Sequence, residues 1–226
     1  MYNKKTFADR IIDFYKKLDA GIKLPGGVEI LNPYKDKETI KACIEFYGKY
    51  YNDNAVRRVI LGINPGRFGA GVTGIPFTDP VRLEKVCGIK NNFDKKPELS
   101  SQFVYMLIER MGGPTHFYKH YYFGAVSPLG FVKNGKNHNY YDSEELKKSL
   151  KPFIIKTLVE QIALGINTAK CFCMGQGKNY DYLTKLNSRL NLFKEIIPLP
   201  HPRWIMQYRR KHLNEFLDDI SAILSR

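Results

Sequence analysis

The chain has 226 residues, a mass of 26.2 kDa and 43% hydrophobic residues, which is enough to bury a core. Its 36 Lys and Arg residues exceed its 22 Asp and Glu residues, and the formal charge of +14 suits a polyanionic partner such as nucleic acid. The sequence has no run of 18 apolar residues and no apolar signal segment. We therefore expect neither a membrane span nor a signal peptide, and a cytoplasmic location.

The cysteines lack the spacing of a metal site. They are Cys43, Cys87, Cys171 and Cys173, and the one close pair lies within an apolar run. Free Cys usually behaves as a small hydrophobic residue. Buried thiols are therefore expected, and neither a metal nor a cofactor is predicted.

Apolar residues recur at three- and four-residue spacing in several segments, which indicates amphipathic helices. These segments are residues 7–18, 37–50, 100–111, 142–165, 180–190 and 205–224. In the fourth, Asp142 and Glu145 fit a capping box, and Pro152 is expected to begin a second helical piece. Gly112 and Gly113 are expected to stop the third. Residues 21–34 and 131–142 are predicted to be loops, and residues 81–99 show no convincing period and are polar around residues 91–96.

Short apolar runs at residues 57–63, 120–126, 169–174 and 195–199 predict strands. Because they alternate with helices, the fold class is α/β, a three-layer α/β/α sandwich around a central parallel four-stranded sheet. Residues 1–226 are interpreted as one domain, with residues 1–50 as an N-terminal helical extension. A ligand of such a sheet lies beyond the carboxyl ends of the strands.

The first strand leads into residues 61–80, LGINPGRFGAGVTGIPFTDP, with five glycines and three prolines. Pro65, Pro76 and Pro80 predict a rigid, non-helical loop. The segment contains G-x-G-x-x-G, but a dinucleotide site requires a helix directly after the strand. A phosphate-binding loop is also rejected, because Val72 stands where that loop needs Lys.

The same segment resembles a motif of a known enzyme family. Residues 62–77, GINPGRFGAGVTGIPF, are similar to GMNPGPFG, a short spacer and TGVPFG of the SMUG-type branch of the uracil-DNA glycosylase superfamily. His201 and Pro202 follow the last predicted strand, where the superfamily's second motif begins with HP. The order of helices and strands beyond about residue 50 also agrees with that family. The resemblance therefore implies a uracil-DNA glycosylase-like fold.

The resemblance also implies roles for two catalytic residues. Hydrolysis of a base–sugar bond passes through an oxocarbenium-like state in which negative charge gathers on the departing base. Asn64 takes the family's water-positioning place, and His201 takes the place of the donor to the pyrimidine O2. From the residues alone, an Asn before Pro can also organise a turn, and a His can be a partly buried side chain bonded to the backbone.

A flipped base also needs a pocket. Phe77 matches the family's stacking aromatic, although a core Phe is the alternative. Gly66 matches a position where that branch is small, which leaves space beside the base C5 atom for modified pyrimidines. Ile63 and Phe68 are expected to complete this pocket.

The chain departs from the family at the position that reads the pairing edge of the base. Related enzymes have an Asn three residues before Pro at the end of the second strand, but here the residue is Ala125 in GAVSPLG. Asn134, Asn137 or Asn139 could supply a substitute amide, which both donates and accepts hydrogen bonds. Asn137 and Asn139 are the favoured candidates.

The segment after the second motif also departs, with HPRWI where the family has HPSPR. Arg203 and Trp204 are the expected wedge that replaces the extruded base. The cluster Arg209, Arg210 and Lys211 is expected to bind DNA phosphates, with a solvated face as the alternative.

Together these features predict a glycosylase that flips uracil or another deaminated or modified base out of single- or double-stranded DNA and leaves an abasic site. A monomer is expected, and no covalent imine, because no catalytic Lys stands out. Two alternatives remain open. One is a non-catalytic nucleic-acid-binding protein on the same fold, and the other is a nucleoside or RNA N-glycosidic hydrolase.

Overall fold

The computed structural model describes residues 5–21 and 23–226; residues 1–4 and 22 of the expected N-terminal extension lie outside this part. The strands are Val28–Leu31 (β1), Arg58–Gly62 (β2), Tyr121–Ala125 (β3), Gly130–Lys133 (β4), Lys136–His138 (β5), Asn167–Met174 (β6) and Glu195–Leu199 (β7). The helices are Phe7–Lys16 (α1), Lys37–Tyr50 (α2), Ala70–Thr73 (α3), Pro80–Lys85 (α4), Leu99–Arg110 (α5), Gly113–His120 (α6), Glu144–Ala163 (α7), Lys178–Leu190 (α8), Pro202–Tyr208 (α9) and Leu213–Ser225 (α10).

The predicted parallel sheet is confirmed. Its strand order is β3-β2-β6-β7, and each neighbouring pair is parallel. In the central strand β2, Val59, Ile60 and Leu61 are fully buried, as expected for a strand covered on both faces. Because parallel strands end at the same edge of a sheet, the segments after β2, β3 and β7 converge there.

A second sheet, with order β1-β4-β5, lies in two segments predicted to be loops, residues 21–34 and 131–142. That prediction is wrong. β4 and β5 form an antiparallel hairpin whose turn residues Asn134 and Gly135 have φ angles of 51° and 67°. Asn-Gly is the preferred pair for a two-residue hairpin turn, because both positions need positive φ. The hairpin signal was therefore present in the sequence.

The segment 61–80 is not free of helix, contrary to the prediction from its prolines. α3 forms one turn between Pro65 and Pro76, and Gly74 ends it with φ of 71°. Pro80 does not prevent a helix but begins α4 at its first position, where the missing N–H costs nothing. The Asp79 side chain caps α4 by accepting from Arg82 N at 2.8 Å.

α7 is one helix, so the predicted break at Pro152 is wrong. Buried Leu150, Phe153 and Ile154 pack on both sides of Pro152, and this packing offsets the roughly 3 kcal/mol that Pro costs inside a helix. The cap is Ser143, whose hydroxyl accepts from Leu146 N, rather than the predicted box of residues 142 and 145.

The predicted C-terminal helix over residues 205–224 is divided in two. α9 ends at Tyr208, and a 3-10 turn at Arg210–His212 precedes α10. Residues 209–212 at the break are basic and exposed, so no core packing keeps α9 and α10 in one continuous helix. The glycines at residues 112–113 do stop α5 as predicted, but α6 begins at Gly113 within a stretch that the periodicity did not reveal.

The described residues share one hydrophobic core, to which α1 and α10 both contribute. All four cysteines are buried free thiols, as predicted. Across residues 5–21 and 23–226, no helix has the length and apolar character needed to span a bilayer.

Arg57 joins the N-terminal helices to the sheet. Its guanidinium is fully buried, donates to Tyr118 O at 2.7 Å and to both Asp53 oxygens at 2.8 and 2.9 Å, and lies over the rings of Phe7 and Tyr51. These partners come from α1, from the segment after α2 and from α6. The buried cation therefore connects elements distant in sequence.

We expect Arg57→Met to lower the free energy of unfolding by about 3 kcal/mol, because it leaves buried carbonyl groups without a donor. Urea denaturation followed by circular dichroism measures this change. The matched control is Lys156→Met, whose side chain is 67% exposed; it should stay within about 0.5 kcal/mol of the wild type. A change below about 1 kcal/mol in Arg57→Met would contradict the role of the buried cation.

Candidate active site

A cavity of about 120 Å³ opens where the segments after β2, β3 and β7 meet. We call it the central cavity. The predicted site residues that line it are Ile63, Asn64, Gly66, Phe77, Asn137, His201 and Arg203. The predicted site residues outside its lining are Phe68, Asn139, Trp204, Arg209, Arg210 and Lys211. The structure thus brings together seven of the thirteen predicted site residues, and these seven come from sequence positions as far apart as 63 and 203.

Asn64 lies on the central cavity with its side chain held by main-chain groups. Its Nδ2 donates to His138 O at 3.3 Å and to Pro65 O at 3.4 Å, and its Oδ1 accepts from Tyr140 N at 3.1 Å. The Asn side chain therefore links the segment after β2 to the distant backbone of residues 138 and 140, whereas the alternative interpretation gave it only a local turn. One lone pair of Oδ1 remains for a ligand, since an amide oxygen can accept two hydrogen bonds.

His201 is the N-cap residue of α9, and its Nδ1 accepts from Arg203 N at 3.2 Å. An imidazole nitrogen that accepts carries no proton, so in the neutral ring Nε2 carries the hydrogen. Burial lowers the pKa of His201 to about 4, and the positive charge of Arg203 contributes to the decrease. At neutral pH the ring is therefore an uncharged Nε2–H donor on the wall of the central cavity.

Phe77 forms one face of the central cavity. Its φ of 55° is in the left-handed region, which costs a non-Gly residue about 1–3 kcal/mol. The Thr73 hydroxyl, which donates to Thr78 O at 2.7 Å, helps to hold this turn. The ring packs against Phe123 at a centroid distance of 5.1 Å and lies so close to Gly62 that a Cβ there would come within 2.9 Å of it. The aromatic face is thus rigidly placed.

The space beside Gly66 is not empty. A Cβ on Gly66 would come within 2.7 Å of Glu98 Oε1, and a Cβ on Gly69 would overlap Glu98 Oε2. These glycines therefore make room for the carboxyl group of Glu98, which itself lines the central cavity. Glu98 is a site residue that the sequence interpretation missed, because it lies outside both motifs.

Ala125, which stands in place of the family's base-reading Asn, contributes only its methyl group and backbone to the cavity wall. Its N–H and C=O are both bonded to the buried amide of Gln161, at 3.3 and 3.0 Å. Of the two substitutes favoured from the sequence, Asn137 lines the cavity. Asn139 is instead bonded to Asp142, through its backbone N at 2.8 Å and its amide at 3.4 Å.

The N-terminal segment also reaches the site. Tyr15 and Tyr34 line the central cavity, and their rings are stacked at a centroid distance of 4.2 Å. Both are almost fully buried, so they form part of its inner wall. Nothing in their sequence spacing distinguishes them from ordinary core residues.

The remaining predicted residues lie on the nearby surface. Phe68 is 37% exposed and lies beneath the cationic groups of Arg67 and Lys96. Trp204 is also 37% exposed, and the guanidinium of Arg209 lies 5.0 Å from its ring centroid. Both aromatic side chains are therefore paired with cations at the surface.

A basic groove of about 550 Å³ runs between α7 and α8. Its charged lining residues are Lys147, Lys148, Lys151, Lys178, Lys185 and Arg189, together with Glu144 and Asp181. Tyr141 and Lys178 also line a depression of about 320 Å³ that reaches His201 and Trp204. The cationic surface therefore extends from the edge of the central cavity along the two helices.

No group of three or more His, Cys, Asp or Glu side chains in residues 5–21 and 23–226 is arranged to hold a metal ion. The polar groups of the central cavity are amide, imidazole, carboxyl and guanidinium groups. Such groups can position water and donate or accept hydrogen bonds.

The family model described as the Uracil DNA glycosylase superfamily matches residues 49–224 of the chain. The chain therefore belongs to the uracil DNA glycosylase superfamily. A search of curated proteins found no match.

Among solved structures, the chain is similar to the crystal structure of wild-type SMUG2 from Pedobacter heparinus. The sequences are 46% identical, 98% of each chain is covered, and the TM-score is 0.95. This similarity confirms the predicted fold class and the resemblance to the SMUG-type branch.

We expect the imidazole of His201 to stay neutral and protonated at Nε2 from pH 5 to pH 8, because its pKa is lowered to about 4. Long-range ¹H–¹⁵N correlation spectra distinguish the two tautomers and the charged ring. Arg203→Gln, which removes the nearby positive charge, should raise the pKa of His201 toward its ordinary value. A midpoint near 6.5 in the wild type, or a proton on Nδ1, would contradict this assignment.

Proposed function

We propose that the protein is a monofunctional DNA glycosylase that removes uracil or another deaminated or modified base and leaves an abasic site. The observation that carries the proposal is the position of Asn64 and His201 on one cavity beside an aromatic face. Membership of the superfamily supports the same class of reaction.

In the proposed reaction, the bond between C1′ and the base nitrogen breaks with both electrons leaving on the base. The Nε2–H of His201 donates to a base carbonyl, where negative charge develops. A neutral donor suits this task, because a fixed dipole stabilises the developing charge without first forming an ion pair with the substrate. Asn64 Oδ1 holds the water whose oxygen bonds to C1′, and its main-chain partners fix the direction of that lone pair. The proton that this water loses passes to the departing base anion, which leaves as the neutral base.

The base is proposed to stack on Phe77, which offsets part of the few kcal/mol needed to unstack it from DNA. Arg203 on the cavity rim and the exposed Trp204 are the proposed wedge. Arg209, Arg210 and Lys211, together with the basic groove, are proposed to meet the phosphate backbone. The formal charge of +14 supports a polyanionic substrate of this kind.

We expect scission of an oligonucleotide carrying one uracil, 5-hydroxymethyluracil, hypoxanthine or xanthine after incubation with the protein and then alkali. Asn64→Ala and His201→Ala should each slow the single-turnover rate by roughly 10²- to 10³-fold, as loss of a preorganised polar group does. The matched controls are Asn92→Ala and His116→Ala, because both residues are exposed and outside the cavity lining.

Single- and double-stranded substrates are tested separately, at one fixed salt concentration. Absence of scission on every lesion, with retained salt-sensitive DNA binding, would favour a binding protein on the same fold. Scission that persists in both active-site variants would show that the reaction takes place elsewhere.

We also expect no covalent complex when the reaction on a scissile oligonucleotide is treated with borohydride. A monofunctional enzyme uses water rather than an amine as nucleophile, and no Lys within residues 5–21 and 23–226 lines the central cavity. Denaturing electrophoresis detects a trapped complex as a shifted band. A band that depends on the lesion would contradict the water mechanism, and a known imine-forming glycosylase serves as the positive control.

A further inference from the structure

Glu98 places a half-buried carboxyl group on the central cavity. Its oxygens lie against Gly66 and Gly69, and no donor within residues 5–21 or 23–226 forms a hydrogen bond to them. Its backbone is fixed, since Glu98 N donates to Asp79 Oδ2 at 2.9 Å. A partly buried carboxylate without a donor is unfavourable, so a ligand that supplies an N–H would stabilise it.

The electrostatic surroundings agree with this geometry. Burial raises the pKa of Glu98 above its ordinary value, the negative charge of Asp79 raises it further, and Arg203 opposes the increase. The charged form is therefore poorly solvated within the cavity wall. A donor from the ligand would favour that charged form.

Asn137 presents the complementary group. Its Oδ1 accepts from Arg67 N at 3.0 Å, and because a backbone N–H can bond only the oxygen of an amide, this contact fixes the orientation of the side chain. Nδ2 then points away from Arg67 and lies 3.5 Å from the position of a Cβ on Gly66. An N–H donor and a carboxyl acceptor thus flank the same glycine.

Building on the proposed function, we propose that Glu98 and Asn137 together read the lactam edge of the flipped base. Glu98 accepts the ring N–H, and Asn137 Nδ2 donates to the adjacent carbonyl. The pair replaces the single amide that is missing at Ala125. The substrate class is therefore bases that carry a carbonyl next to a ring N–H, a group that includes uracil, hypoxanthine and xanthine.

The same pair rejects cytosine and adenine, which have an amino group next to an unprotonated ring nitrogen. In the same orientation, cytosine places its amino group against the Asn137 amide N–H groups and its N3 lone pair against the Glu98 carboxylate. Both contacts are repulsive, because donor faces donor and acceptor faces acceptor. A site whose polar groups are left unpaired discriminates strongly against such an analogue.

The test uses the full chain and oligonucleotides with uracil, N3-methyluracil or cytosine at one position on a 2′-fluoro sugar, which resists hydrolysis. Fluorescence anisotropy gives the affinities without turnover. The wild type should bind uracil at least tenfold more tightly than either of the other bases. A parallel set with hypoxanthine, N1-methylhypoxanthine and adenine tests the same edge on a purine.

Glu98→Ala should reduce the preference for uracil over N3-methyluracil to within about threefold, because the acceptor is gone. Glu98→Gln keeps the size of the side chain but can turn an amide donor toward the N3 atom of cytosine, so it should reduce the preference for uracil over cytosine about tenfold. The matched control Glu109→Ala removes an exposed Glu from α5, the helix that Glu98 precedes, and should keep the wild-type preferences. Thermal melting establishes that each variant is folded.

Equal wild-type affinities for the lactam and N-methyl bases would overturn the proposal. The proposal would also be overturned if Glu98→Gln and Glu98→Ala both preferred uracil over N3-methyluracil and cytosine as strongly as the wild type does. If Glu98→Gln keeps these preferences and Glu98→Ala loses them, Glu98 acts only as a steric wall, which also contradicts the proposal. A lactam preference that disappears in the Glu98 variants, without scission of any hydrolysable lesion, would uphold base reading while the proposed glycosylase activity fails.

Discussion

The three hydrogen bonds of the Asn64 side chain hold the candidate site together. Two of them join the segment after the central strand to His138 and Tyr140, which belong to the hairpin strand β5 and the segment after it, and the third is to the neighbouring Pro65 O. Asn137 stands next to this junction, so its position depends on the same bonds. An Asn at this place therefore both presents an oxygen to the cavity and fixes a second cavity wall. A change at Asn64 is expected to affect both functions.

The N-terminal segment contributes residues to the inner wall of the central cavity. The buried Arg57 guanidinium connects α1 and α6 through its cation–aromatic contact and its hydrogen bonds. With α1 held in this way, Tyr15 reaches the inner wall and stacks on Tyr34. A polar cavity is thereby closed on its inner side by aromatic rings, which exclude water and strengthen the electrostatic contacts within.

The sequence was informative where structure depends on local pattern. Apolar runs predicted the parallel strands, and the motif around Asn64 together with the HP pair at His201 identified two cavity residues. The prediction that the prolines keep residues 61–80 free of helix was wrong, because Pro80 at the first position of a helix is favourable rather than disruptive. Glu98 could not be predicted, because its role depends on two distant glycines that have no side chain in its way.

The positive charge of Arg203 affects the pKa values of both His201 and Glu98. Burial is the main cause of the lowered pKa of His201, and the Arg203 guanidinium lowers that pKa further. Burial and Asp79 raise the pKa of Glu98, and the same guanidinium opposes this increase. A basic residue directly after the HP pair therefore suits the proposed site, in which a neutral imidazole and a carboxylate act at the same pH. The uncharged residue at that position in the HPSPR pattern would supply neither effect. The departure from the family pattern at Arg203 and the presence of Glu98 are thus linked by electrostatics.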